Sequence, residues 1–492
     1  MSTAAPLRSV PNSLSASETP EASGVARELA RVQAFVKDHR MRWKDMPGGF
    51  GAFEKALHER VVAYEREMLA EEMARADVNA EAIEVAGTSY RRVLRCEETY
   101  MTAAGPVRIL RTLYKDRTDE AERAIVPLEL RLGVVGGFWT PEAAKQAAWV
   151  VSQMTPRLGE ELFERLGNMA PSKSSLDRLP KTLSARWEEE RVHFEKALRD
   201  SDTIPQQTKT MAVSLDGVLA PMKDGRAQEK RKKTAAEGRL TRGPAGYREV
   251  GCGTLSFCDV EGEMISAVRM ARMPEPKKAS LKRTLFADVT AALSARPDLV
   301  LVKLADGSED NWTFLSQQLP EGVEILDFFH AAEHLNDALG SVYGEGSVAT
   351  RQHFEALRFV LKEVANGAEK VIRSLNYLHK RHPRNTKVEK VLAYFRNNRR
   401  RMRYHEFIAE GLPIGSGVVE AACKTLVTQR LKQSGMRWDE KGGQAILTVR
   451  GWTQSQDRFD RAWALLAATY QAEVVVLHNV VPFPPEGKRK SR

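Results

Sequence analysis

Two aspartates lie far apart in the chain yet share one local context. Asp216 closes the run MAVSLDG and Asp306 closes LVLVKLADG, each aspartate being followed by glycine. Leu299 to Leu304 is nearly continuous apolar sequence, as a central strand buried on both faces requires. In an α/β sheet the ligand site lies beyond the carboxyl ends of the strands, so adjacent strands would make these carboxylates neighbours. Two close carboxylates repel unless a cation lies between them. Oxygen donors suit a hard ion, and Mg²⁺ or Mn²⁺ keeps positions open for phosphate and water. The competing reading is turn chemistry, because Asp-Gly commonly ends a strand.

A third carboxylate would allow two ions to sit about 3.5 to 4 Å apart, the arrangement that activates an attacking oxygen and stabilises a leaving one in phosphodiester displacement. Glu420 is the candidate. It opens a helix entered through Gly415-Ser416-Gly417, and that helix carries Lys424, Arg430, Lys432 and Arg437 with no acid between Ala421 and Trp438. The expectation is a buried acid on an otherwise cationic helix; a surface glutamate paired with Lys424 at i, i+4 is the alternative.

The same region holds a different motif. His330-Ala-Ala-Glu333-His334 has the H-x-x-E-H spacing of a zinc peptidase, with Glu410 or Glu420 available as a further ligand. That reading leaves the Asp-Gly strand ends and the basic blocks unexplained. No G-x-x-x-x-G-K-[ST] loop and no G-x-S-x-G elbow occurs, so neither a nucleotide-phosphate cradle nor a hydrolase serine is implied. Cys423 reads as core packing. Trp312, Trp438 and Trp452 stand near the motifs, either as core or as platforms on which a base stacks.

The elements that must position these residues are legible in outline. At 492 residues the chain exceeds one hydrophobic core. Residues 1–24 form a polar lead-in without the basic and apolar regions of a signal peptide. Residues 25–200 form a mainly helical region with a β-hairpin around the turn Ala104-Gly105-Pro106. Its last segments, opened by Thr140-Pro141-Glu142, resemble a helix-turn-helix that presents Lys173 and Arg178 to DNA. Residues 205–465 alternate strands and helices, an α/β core with an all-helical insertion at about 340–410, and 466–492 form a C-terminal tail.

Charge points to a polyanion. The net charge is +10, and two blocks concentrate it: nine Lys or Arg against three acids from Lys223 to Arg248, and ten against Glu389 alone from Lys380 to Arg403. Such blocks are the footprint of phosphate-backbone binding, here assigned to Lys230, Arg231, Lys232, Lys233, Arg399, Arg400 and Arg401. A solvated, self-repelling face is the bland alternative. No apolar run approaches the roughly 20 residues of a membrane helix. Four scattered cysteines without a C-x-x-C pair fit a reducing cytoplasm rather than a disulfide framework.

The strings SLDGV, KLADGSEDNW, LDFFHAAEHL and LPIGSGVVEAACKTLVTQRLKQSGMRW, with GGQAIL after them, resemble the bacterial insertion-sequence transposases of the Kra type, relatives of the Mutator-like DDE transposases. The resemblance runs from the hairpin near Tyr90 to about Trp463. It implies an RNase H-like catalytic core with a helical insertion, and Asp216, Asp306 and Glu420 as an acidic triad holding two Mg²⁺ or Mn²⁺ ions. Asp327 and His330 match the D-x-x-H element of the Mutator-like relatives; at the end of a strand, His330 would contact the scissile phosphate or position Glu420, and a structural histidine with its hydrogen bonds satisfied is the alternative. It further implies double-stranded DNA as partner, both element ends and target, a homo-oligomer that pairs the ends, and a nucleoid-associated bacterial protein. An RNase H-like nuclease without strand transfer and a catalytically silent DNA-binding derivative share most of these features.

Overall fold

A computed structural model describes residues 23–42, 48–116, 124–223, 233–234, 236–238 and 246–477. The chain divides into two compact units. One comprises the chain through Leu132, the stretch Leu166–Ala170 and the chain from Glu473 onward; the other comprises Gly133–Arg165 and Pro171–Ala472.

In the first unit, helices Gly24–Met41 and Gly49–Arg75 pack together, with Phe35 stacked on Phe53 at 5.5 Å. Strands β1 (Ala82–Val85), β2 (Thr88–Thr102) and β3 (Gly105–Lys115) form an antiparallel meander. The expected hairpin is β2 and β3. The expected C-terminal tail is not wholly a tail: Val475–Val476 (β9) pairs with β1 and extends the sheet to the order β3-β2-β1-β9. Val474 enters the apolar cluster with Ile83, Tyr90 and Tyr114, which draws this late segment onto the sheet.

The second unit is built on a five-stranded sheet. β4 (Thr210–Pro221), β5 (Tyr247–Cys258) and β6 (Met264–Arg272) run antiparallel as a meander, and β7 (Val300–Ala305) and β8 (Val323–Leu326) run parallel to β4. Helix Ala279–Ala295 connects β6 to β7, and Glu309–Gln317 connects β7 to β8. The strand order is β6-β5-β4-β7-β8. β4 does not end at Asp216; it continues to Pro221 because β5 pairs with its whole length, Asp216 facing Cys252. Its pairing with β7 stops earlier, at Ser214 opposite Leu304.

After β8 come helices Phe328–Tyr343, Val348–Glu363, Gly367–Arg381, Thr386–Asn398 and Tyr404–Ala409. Their buried residues, among them Leu335, Leu361, Val371, Leu375, Phe395 and Phe407, join Met211, Val213, Val302 and Ile325 in one hydrophobic cluster. The insertion therefore shares the core of the sheet. A separate cluster joins Ala220, Val250 and Cys252 to Val419, Leu426, Leu431 and Leu447, seating the Glu420 helix and helix Glu440–Thr453.

Helices Pro141–Gln153, Lys173–Glu189 and Arg191–Ser201 belong to this unit rather than to the hairpin, which moves the boundary expected near residue 200. Buried arginines are the physical reason. Arg450 donates to the Ser152 carbonyl and Arg430 to that of Val151, satisfying the end of helix Pro141–Gln153, while Trp187 packs on Trp452 at 4.6 Å.

Candidate acidic site

Asp216 and Asp306 each lie two residues past the last paired positions, Ser214 and Leu304, of adjacent parallel strands. They occupy equivalent places beyond the shared ladder. Asn311, almost fully buried, ties them: its Nδ2 donates to the Leu215 carbonyl at 3.0 Å and to Asp306 Oδ1 at 3.2 Å. Ser308 N–H donates to the same oxygen at 3.1 Å, and Trp312 Nε1 donates to the Asp306 carbonyl at 2.6 Å. The Asp216 carboxylate accepts from the Gly217 amide at 2.6 Å and from the Cys423 thiol at 3.5 Å. Burial pushes the Asp216 carboxyl above its ordinary range, and the charge of Asp306 adds to that shift. The Gly217 amide, the Cys423 thiol and Lys278 oppose it.

The other half of the site hangs on one residue. Asp327 is fully buried and caps helix Phe328–Tyr343, its Oδ1 accepting from the His330 amide at 2.7 Å. Its Oδ2 accepts from the Ser416 amide, which holds the glycine-rich loop before Glu420. Ser416 Oγ then donates to Glu420 Oε1 at 3.1 Å. Burial alone would raise the Asp327 carboxyl, but the hydrogen bonds from His330 and Ser416 outweigh it and hold the group below its ordinary value.

His330 Nδ1 lies 3.3 Å from Asp327 Oδ1 and 3.8 Å from Glu420 Oε1. Its pKa is pushed up to about 9 by the hydrogen bond to Asp327, against the effect of burial and with help from the charges of Asp327, Asp306 and Glu333. In the ion-free chain Asp327 thus favours the protonated imidazole. With Nδ1 facing the carboxylates, Nε2 is the ring nitrogen left for a substrate.

Glu420 stands on helix Gly417–Ala422, which continues through a π-helical stretch, Cys423–Thr428, to Gln429–Leu431. The expectation of a buried acid is corrected: its side chain is 46 % exposed. Asp327, His330 and Glu420 offer ligand atoms all within 4.8 Å of one another. Both Asp327 oxygens, however, are engaged by amide donors. Asp216 and Asp306 are outside that group, so the expected set of Asp216, Asp306 and Glu420 is not brought within the same ligand spacing; Asp327 positions His330 and the Ser416 loop.

His334 is outside the Asp327–His330–Glu420 group; its ring packs on Tyr394 at 4.3 Å, and burial lowers its pKa. The two histidines of the H-x-x-E-H string thus have different surroundings. Trp312 and Trp452 are core, and Trp438 is half-buried with its Nε1 donating to the Leu431 carbonyl at 3.0 Å, so none of the three is a free platform.

The candidate DNA-contacting cations divide by burial. Lys173, Arg178, Lys233, Arg399, Arg400, Lys424, Lys432 and Arg437 are exposed. Arg401 is half-buried, ion-paired with Glu324 at 2.7 Å and lying over the Trp312 ring at 3.8 Å. Arg430 is corrected: at 1 % exposure it faces the Val151 carbonyl and the Trp438 ring, and burial lowers its pKa to about 10. Lys230, Arg231 and Lys232 lie outside the described residues.

Residue-type reasoning missed Asn311 and Ser416. Both stand inside the strings that carry the resemblance, but their value lies in contacts across 96 and 89 positions of chain. Among the described residues no helix is long and apolar enough to cross a membrane. A scan against protein-family models finds no match to this chain, and a search of curated proteins finds none either.

Proposed function

We propose that this protein is a DDE-type DNA transposase that cuts double-stranded DNA at element ends and joins the freed 3′ ends to target DNA. The observation that carries the proposal is the equivalent placement of Asp216 and Asp306 just past the paired ends of β4 and β7. An antiparallel meander followed by two strands parallel to its first member, with a helical insertion before the third acid, supports reading the core as RNase H-like.

In this reading Asp216, Asp306 and Glu420 hold two Mg²⁺ or Mn²⁺ ions. When bound, the ions would supply the Lewis acidity that activates an attacking hydroxyl and stabilises the leaving oxygen. Asn311 keeps the Asp306 carboxylate oriented, and the chain from Asp327 through Ser416 orients Glu420. His330, its Nδ1 turned to Asp327, presents Nε2 to a non-bridging oxygen of the scissile phosphate. Exposed Arg399, Arg400, Lys424, Lys432 and Arg437 neutralise backbone phosphates. Pairing two ends calls for a homo-oligomer.

The test is to look for inverted repeats on either side of the gene and to incubate purified protein with a duplex carrying such a repeat and Mg²⁺ or Mn²⁺, scored for strand-transfer products. Cleavage without joining would favour a nuclease. Binding without cleavage would favour a silent derivative.

A further inference from the structure

Phe329 is anomalous for a large apolar residue. It follows the buried Asp327 and Phe328, precedes His330, and is 51 % exposed. It is also well braced. Phe328, 1 % exposed, meets it edge to face at 5.5 Å, and Phe328 is in turn met edge-on at 5.2 Å by Tyr404, whose hydroxyl donates to the Leu326 carbonyl at 3.0 Å. On another side the ring rests on Gly415. A Cβ added there would lie 2.7 Å from Phe329 Cε2, so the bare backbone of the loop that carries Ser416 and leads to Glu420 makes room for this ring.

The exposed part of the ring thus belongs to the wall formed by the helix of His330 and the loop of Glu420. A neutral π-face beside the loop that leads to Glu420 repels no part of DNA, whereas carboxylates disfavour phosphate unless a cation intervenes. Bases offer a matching π-face whatever their identity, and base–aromatic stacking contributes about 1–3 kcal/mol per base. Enzymes that act inside a duplex commonly take a nucleotide out of its stack, at a cost of a few kcal/mol that such stacking offsets.

We infer that Phe329 is a stacking platform for a nucleobase next to the bond being cut, taken out of the duplex as the strand enters the acidic site. The inference rests on the DNA-cleavage reading and deepens it by naming a positioning residue for the substrate strand. Because every base presents a π-face, the platform confers little sequence preference. It acts on the cutting step rather than on duplex affinity.

The experiment uses full-length protein, Mn²⁺ and the terminal-repeat duplex, with 2-aminopurine placed in turn at the nucleotides flanking the cut. Wild type, F329W, F329L and F329A are compared for duplex affinity, cleavage rate, melting temperature and 2-aminopurine fluorescence. Stacking predicts cleavage slowed by roughly 5- to 150-fold in both F329A and F329L, near-wild-type rates in F329W, and little change in duplex affinity. It also predicts a 2-aminopurine response at one position that F329A abolishes. A wild-type rate in F329L overturns the inference, since leucine keeps apolar contact without a π-face. If wild-type protein binds the repeat yet never cuts it, the cleavage reading falls first and the inference falls with it.

Discussion

The two halves of the acidic site are held by different means. Asp216 and Asp306 are placed by backbone pairing between β4 and β7, with Asn311 as a brace. Glu420 and His330 are placed by side-chain hydrogen bonds that converge on Asp327 and pass through Ser416. A ladder distributes the work over many bonds; the Asp327 relay concentrates it in one carboxylate. The strand half should therefore tolerate neighbouring substitutions, and the helix half should fail when a single buried group is lost.

The largest effects fall on the proposed ligands. Asp216→Asn, Asp306→Asn and Glu420→Gln should each abolish cleavage and strand transfer while leaving duplex binding in gel shifts intact. Full activity in any one would remove that residue from the ligand set.

Next comes the relay. Asp327→Ala strips two amide donors of their acceptor, each loss costing about 1–3 kcal/mol. Thermal melting should drop by several degrees, and cleavage should slow by about 10- to 100-fold, as for other residues that position ligands. Unchanged melting and rate would show that the loop before Glu420 is held by other contacts.

A smaller effect separates function from stability in the strand half. Because the folded-state pKa of Asp216 stands above that of the unfolded chain, the ion-free protein has its full Asp216-linked stability where the carboxyl is protonated, at acid pH. It loses that stability as pH rises through the raised value. Asp216→Asn should consequently raise the melting temperature at pH 7 in EDTA, with the gain shrinking as the pH is lowered. Mn²⁺ should stabilise wild type more than the variant. No difference in EDTA would mean that the Gly217 amide, the Cys423 thiol and Lys278 already offset the burial and repulsion.

The smallest effect concerns the cations. Arg400→Ala should lower the salt slope of DNA binding by about one unit. Arg430→Ala should leave that slope unchanged and instead destabilise the packing against helix Pro141–Gln153. A change of slope in the second variant would return Arg430 to the DNA-contacting set.

Much of this architecture could be read without coordinates. Strand periodicity is local, so the apolar runs before Asp216 and Asp306, the β5–β6 hairpin and the helical insertion all follow from neighbouring residues. The placement of helices Pro141–Gln153 and Lys173–Glu189 was not legible, because it depends on Arg430, Arg450 and Trp452, more than 200 positions later. Exposure is likewise decided by distant contacts. Glu420 and Arg430 share a helix of cationic composition, yet the first reaches solvent and the second reaches a carbonyl of another helix.

Composition and short-range pattern alone determined that this chain has an α/β core, two basic blocks and apolar strand runs leading to Asp216 and Asp306. Tertiary structure decided that β4 and β7 are neighbours, that Asp327 is shared between His330 and the loop before Glu420, and that Phe329 is left uncovered. Each of these depends on contacts between residues that no local period relates. Their energies come from burial and hydrogen bonding in the folded core, where a single amide or carbonyl without a partner is costly.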